Sequence, residues 1–205
     1  MFCSSRAIGP IRVHFKGVPM PDLDPKTTAL VLIDLQKGIM GYPLAPNSAA
    51  DVVKVSTNLA QQFRQAGAPV VLVNVVLLDT GVTPPPVDRA RPRPAGGYPP
   101  DFSEFVADLQ KPGDFVVTKH TWGAFHNTKL DDILRQLGVK TIVLGGIATN
   151  MGVESTARQA HERGYGLVIV NDAMSSMSQE MHDFAVTSIF PSIARVVVAS
   201  DIKLN

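Results

Sequence analysis

The sequence predicts a three-layer α/β domain, one six-stranded parallel sheet with helices on both faces. Three observations predict it. Short apolar runs alternate with helix-period segments over most of the 205 residues, as in repeated βαβ units. The clearest of these runs, Pro69 to Leu77, is apolar nearly throughout, as in strands buried on both faces. Hydrophobic residues make up 45% and charged residues 18% of the chain, enough apolar material at this length for one domain with a sizeable core.

Thr28 to Asp34 (Thr-Ala-Leu-Val-Leu-Ile-Asp) reads as the first buried strand, closed by a carboxylate. Ser48 to Ala66 follows as a helix with Val52, Val55, Leu59 and Phe63 on one face and Gly67 placed to cap it. Pro69 to Leu77 is the second strand. Thr80 to Pro100 holds seven prolines and three glycines and reads as a long surface loop, equally a lid or binding segment or a plain solvated excursion. Phe115 to Lys119 is the third strand, ending in a lysine. Leu130, Ile133, Leu134 and Leu137 stripe the next helix, which closes at Gly138. Thr141 to Gly145 is the fourth strand. A small-residue turn, Gly145 to Asn150, leads into a helix from about Met151 to Arg163. Leu167 to Val170 and Ala194 to Ala199 supply two more strands, separated by a helix with Met181, Phe184, Ala185 and Ile189 on one side. Residues 1–26, with four prolines and little periodicity, read as an N-terminal arm, and residues 27–205 as the domain.

A formal net charge of +1 creates no global field for nucleic acid or an acidic membrane. No apolar run reaches the roughly 20 residues that span a bilayer, and the N-terminus lacks the basic and apolar segments of a secretory signal. The single cysteine, Cys3, lies in the arm and cannot form an intramolecular disulfide, which fits a reducing compartment. A cytoplasmic protein is expected.

Ligands of open parallel sheets bind beyond the carboxyl ends of the strands. Asp34, Lys119 and the glycine-rich turn after the fourth strand all fall there. Taken singly, an aspartate closing a strand is a turn residue, a lysine is solvated and the glycines serve the turn. Convergence on one edge points to a site. A partly buried carboxylate transfers protons, an ammonium beside it favours its ionised form, and the helix N-terminus near Met151 offers N–H groups to an anion.

These residues carry a resemblance. Asp34-Leu35-Gln36 resembles the opening Asp-x-Gln motif of the isochorismatase-like (cysteine) hydrolases. Lys119-His120-Thr121-Trp122-Gly123-Ala124-Phe125 is similar to their lysine motif. Gly146 to Arg158 is similar to their nucleophile segment, above all in the YecD-like bacterial members, and Asn171-Asp172-Ala173 matches the Asp-Ala that follows. The resemblance spans about Lys26 to Val198. It implies a Rossmann-like six-stranded sheet, a homo-oligomer, catalytic Asp34 and Lys119, and a cis peptide between Ile147 and Ala148. It also implies an oxyanion hole from the N–H groups of Ala148 and Gly152.

In most of that family the position of Gly152 holds the nucleophilic cysteine. Glycine has no side chain, so thiol attack from here is ruled out. The resemblance therefore implies a hydrolase acting by acid–base chemistry on a small, carboxylated substrate. Isochorismate is the candidate, its vinyl ether cleaved as in the true isochorismatases. The alternatives are a C–N hydrolase in which Asp34 activates water, and a binding protein on an inactive fold. Gln36, Trp122, Phe125, Ile147, Ala148, Thr149 and Asn150 are the candidate substrate contacts. Trp122 and Phe125 read equally as core, and Thr149 and Asn150 as turn residues. Arg89, Arg91 and Arg93 are either candidates for holding an acidic substrate or ordinary surface arginines. The histidines His14, His120, His126, His161 and His182 lack metal-ligand spacing, so neither metal nor cofactor is expected. His161 and His182 fit solvated helix positions, while His120 and His126 flank the lysine motif within reach of a substrate.

Overall fold

A computed structural model describes residues 22–77, 86–89 and 94–205. Six strands form one parallel sheet: β1 (Thr28–Ile33), β2 (Val70–Val75), β3 (Phe115–Lys119), β4 (Thr141–Ile147), β5 (Gly166–Ser175) and β6 (Arg195–Val197). Their order is β3-β2-β1-β4-β5-β6, and every pairing is parallel. The helices are α1 (Lys37–Met40), α2 (Ala49–Gln65), α3 (Leu130–Gln136), α4 (Glu154–Glu162) and α5 (Gln179–Phe184).

The period-2 geometry of a strand sends alternate side chains to opposite faces. Leu30 and Leu32 of β1 join Leu72, Val143 and Val168 beneath Val52, Leu59, Ala60 and Phe63 of α2. Ala29, Val31 and Ile33 join Val71, Val73, Ile142 and Leu144 on the other face, against Leu130 and Leu134 of α3 and Ala157 and Ala160 of α4. Helices thus cover both faces, giving the three layers. Ser48 caps α2 by accepting the Asp51 N–H at 3.2 Å, and Gly67, at φ 72°, turns the chain out of it. Leu23, within the expected arm, is buried and bridges Leu204; Cys3, His14 and the rest of residues 1–21 lie outside the described residues.

Two elements differ from the sequence reading. β5 runs to Ser175, well past the expected Val170, because a register shift against β4 carries the pairing across polar Asn171 and Asp172. On α5 and the turn after it, His182, Ala185 and Val186 face inward, whereas Met181 and Phe184 are 37% and 60% exposed. The inward face is set by polar bonding at His182, which an apolar stripe does not reveal. Among the described residues no helix is long and apolar enough to cross a membrane.

Candidate active site

β1 leads to β2 and β3 on one side of itself, whereas β4 to β6 build the other side. The strand order therefore reverses between β1 and β4, and a crevice opens there at the carboxyl ends. Two local features shape it. Asp34 leaves β1 at φ 54°, in the left-handed region that aspartate tolerates better than most residues. Gly146 sits at φ 122° against β1, where a Cβ would lie 2.1 Å from the Ile33 carbonyl oxygen. Only glycine fits there. The Ile147–Ala148 peptide that follows is cis, as the resemblance implies. A π-helical turn, Thr149–Val153, then runs into α4.

Lys119 reaches in from the end of β3. Its Nζ donates to Asp34 Oδ2 at 2.7 Å and to the Thr121 carbonyl at 3.1 Å. Both residues are buried, so the pair is shielded from the screening that makes surface ion pairs weak. Gly152 faces them. A Cβ there would stand 3.0 Å from Ile33 Cγ2 and 3.3 Å from Asp34 Oδ2. A cleft of about 380 Å³ lies over this trio, with Ile147, Ala148 and Trp122 also in its wall. Trp122 is 54% exposed.

The structure places the other expected contacts elsewhere. Gln36 is fully buried. Its Nε2 donates to the Val75 and Phe102 carbonyls, each at 3.1 Å, and its Oε1 accepts the Val75 N–H at 2.6 Å. These bonds hold the 102–105 segment against β2 and leave the side chain off the cleft wall. Phe125 is core: it packs near Tyr165, ring centroids 6.0 Å apart, with the Arg163 guanidinium 4.9 Å from its ring centre. Thr149 is buried behind the π-turn, its Oγ1 2.8 Å from His182 Nδ1. Asn150 Oδ1 accepts the Ser176 hydroxyl. Both residues therefore brace the turn from outside the cleft wall. Arg89 is exposed; Arg91 and Arg93 lie outside the described residues.

His182 is buried, unlike the solvated position expected of it. Its Nε2 lies 2.9 Å from Asn171 Oδ1, which accepts, so Nδ1 accepts a hydrogen bond from the Thr149 hydroxyl. Desolvation pushes its pKa down to about 4, and the ring is neutral at pH 7. Burial likewise raises the pKa of Asp172, against the opposing effect of the Ala199 N–H bonded to it at 2.8 Å. His126 and His161 are exposed. Among the described residues no group of three His, Cys, Asp or Glu is placed to hold a metal.

Sequence reasoning missed Ile39, Tyr42, Tyr98, Met151 and Met177, all in the cleft wall. Met151 lay inside the motif already singled out. Tyr98 belongs to the proline-rich loop and is held by its ring contact with Phe102, centroids 4.6 Å apart. The chain before α2 is tied to β5 where Asn47 Nδ2 donates to the Met174 carbonyl at 2.8 Å and Ala45 exchanges backbone bonds with Ser176. Tyr42 and Tyr98 had no signal beyond being aromatic in loops.

Residues 28–201 match the model of the isochorismatase domain. The chain is 45% identical over 180 residues to the uncharacterized isochorismatase family protein YecD of Escherichia coli O157:H7, covering 86% of this chain and 95% of that one. An isochorismatase family protein from Burkholderia thailandensis has a similar structure, with TM-score 0.80 and 46% identity over 89% of this chain and 96% of that one. The N-carbamoylsarcosine amidase of Thermoplasma acidophilum gives TM-score 0.70 and 29% identity over 86% and 98%.

Proposed function

The chain belongs to the isochorismatase family of hydrolases, and on that premise we propose that it hydrolyses a small, carboxylated substrate through Asp34 and Lys119, without a thiol nucleophile. One observation carries the reading: the buried 2.7 Å Asp34–Lys119 pair faces a residue with no side chain, Gly152. By the resemblance, that position holds cysteine in the thiol-dependent members, and no cysteine occurs anywhere in residues 4–205. No side chain from position 152 stands beside the carboxylate.

Isochorismate is the first substrate to test. The pair holds one transferable proton, which sits on Lys119 in the ion pair. Substrate that fills the cleft displaces water and weakens the solvation of separated charges, favouring the form with the proton on Asp34. Asp34 then protonates the terminal vinyl carbon. Water adds to the resulting cation and returns a proton to the pair. The hemiketal collapses to pyruvate and 2,3-dihydro-2,3-dihydroxybenzoate. Lys119, with two of its three N–H groups used, has one left for a substrate carboxylate.

A second reading draws on the ion-paired state itself, in which Asp34 is a base, and on the similarity to N-carbamoylsarcosine amidase. Here Asp34 takes the proton of a water attacking a carbonyl carbon. The C–N bond breaks and the nitrogen leaves with that proton as ammonia or an amine. A coupled assay for pyruvate from isochorismate, run beside an ammonia assay on amide and ureido substrates, separates the two. Activity in either assay that disappears in Asp34→Ala supports the proposal. A folded wild type inactive in both, and not stabilised against heat by small acids or amides, points to a binding protein instead.

A further inference from the structure

We infer that His120 is a third working side chain of this cleft, its Nε2 accepting a hydrogen bond from an N–H or O–H group that the substrate carries near its scissile bond. The inference deepens the proposed hydrolase reading and rests on it, since it takes the same cleft as the substrate site. His120 follows Lys119 at the end of β3, is exposed, and lines the cleft.

The ring is strapped in place. The Val76 N–H donates to the Lys119 carbonyl at 2.9 Å, and His120 Nδ1 stands 2.8 Å from the Val76 carbonyl oxygen. A carbonyl only accepts, so Nδ1 carries the proton of the neutral ring and Nε2 presents a lone pair. Among the described residues nothing bonds to Nε2. Fixing one ring nitrogen on the backbone orients the other before any ligand arrives, which lowers the ordering cost of binding. The inner polar groups are differently committed: Asp34 Oδ2 accepts a hydrogen bond from Lys119 Nζ, which also donates to the Thr121 carbonyl. His120 Nε2 is thus an oriented acceptor at the side of a charge-paired centre. Such an acceptor selects for ligands with a donor, because a ligand lacking one leaves it desolvated and unpaired.

The test uses the full chain and two matched pairs of probes: benzamide with N,N-dimethylbenzamide, and 3-hydroxybenzoate with 3-methoxybenzoate. Dissociation constants come from NMR titration of the wild type and of His120→Asn, whose amide N–H can still reach the Val76 carbonyl while no acceptor is left at the Nε2 position. His120→Phe, which keeps a flat ring, serves as a second variant. A neutral hydrogen bond of this kind corresponds to about 3–10-fold in affinity. We expect both variants to lose that factor for benzamide, for 3-hydroxybenzoate or for both, with the methylated partners unchanged. The pair that responds identifies the donor as N–H or O–H. Equal loss within both pairs, no loss in either, or no binding of any probe to the wild type overturns the inference. The hydrolase reading is judged separately, by product release and its dependence on Asp34.

Discussion

His182 is neutral in the fold and bonded at both ring nitrogens, to Thr149 and to Asn171. In the unfolded chain it protonates near its ordinary value of 6.5, whereas desolvation holds it to about 4 in the fold. A depressed pKa contributes stability that is complete above 6.5 and is lost as pH falls toward 4, because the unfolded state binds the proton first. At about 1.4 kcal/mol per unit, the loss reaches about 3 kcal/mol by pH 4. Carboxylates titrate in the same range, so the measurement must be a difference. Urea unfolding of the wild type and of His182→Gln, from pH 7.5 to 4, isolates the ring. At pH 7 the variant should be less stable by about 1–3 kcal/mol for the disturbed hydrogen bonds. That gap should close as pH falls and vanish or reverse near pH 4. Parallel stability curves across the range would refute the reasoning, and so would an imidazole NMR titration with a midpoint near 6.5 in the folded protein.

Removing one partner of the buried pair leaves the other charge uncompensated. Lys119→Met should therefore destabilise by about 3–5 kcal/mol, and Asp34→Asn/Lys119→Met by markedly less, as read in a double-mutant cycle of urea midpoints. Gly146→Ala combines φ 122° with a Cβ 2.1 Å from a backbone oxygen. It should cost more than about 4 kcal/mol, or leave no soluble protein, whereas Gly67→Ala, with open space around its Cβ, should cost about 1 kcal/mol. Sedimentation equilibrium should give a mass that is a multiple of 22.0 kDa, as the resemblance to a homo-oligomeric family implies; a single-chain mass at micromolar concentration would contradict it.

The strands were legible because both sheet faces are covered, so β1 and β2 are apolar at consecutive positions and stand out from their flanks. The length of β5 was not. The register against β4 shifts past Ile169, and half-buried Asn171 and Asp172 interrupt the apolar run between Val170 and Ala173, so the pattern ends where the strand does not. The inward face of α5 was misread for a related reason. Met181 and Phe184 satisfy a helical stripe, but the buried position is a histidine whose desolvation is met by two side-chain bonds. Periodicity registers apolar burial and is blind to polar burial compensated in this way.

The same limit separates the expected residues that line the cleft from those that lie off it. Asp34 and Lys119 were legible as charges at the carboxyl ends of strands, where burial of either requires a partner. Gln36, two residues past Asp34, shares its motif but follows the turn at φ 54°, which ends the strand's alternation and sends the amide to backbone groups of β2 and the 102 region. Its part in the site is indirect. By bonding the Phe102 carbonyl, it holds the segment whose Phe102 ring meets Tyr98, and Tyr98 is a wall of the cleft. Gly152 is the converse case. In sequence its meaning comes from the resemblance alone, which puts a cysteine at this position in most of the family, and the structure adds that a Cβ there would stand 3.3 Å from Asp34 Oδ2. A cysteine there would set its sulfur beside that carboxylate, after Ile33 and Asp34 yielded a few tenths of an ångström. A glycine leaves that volume without a side chain, and on the proposed reading Asp34 acts directly on the water or substrate that enters it.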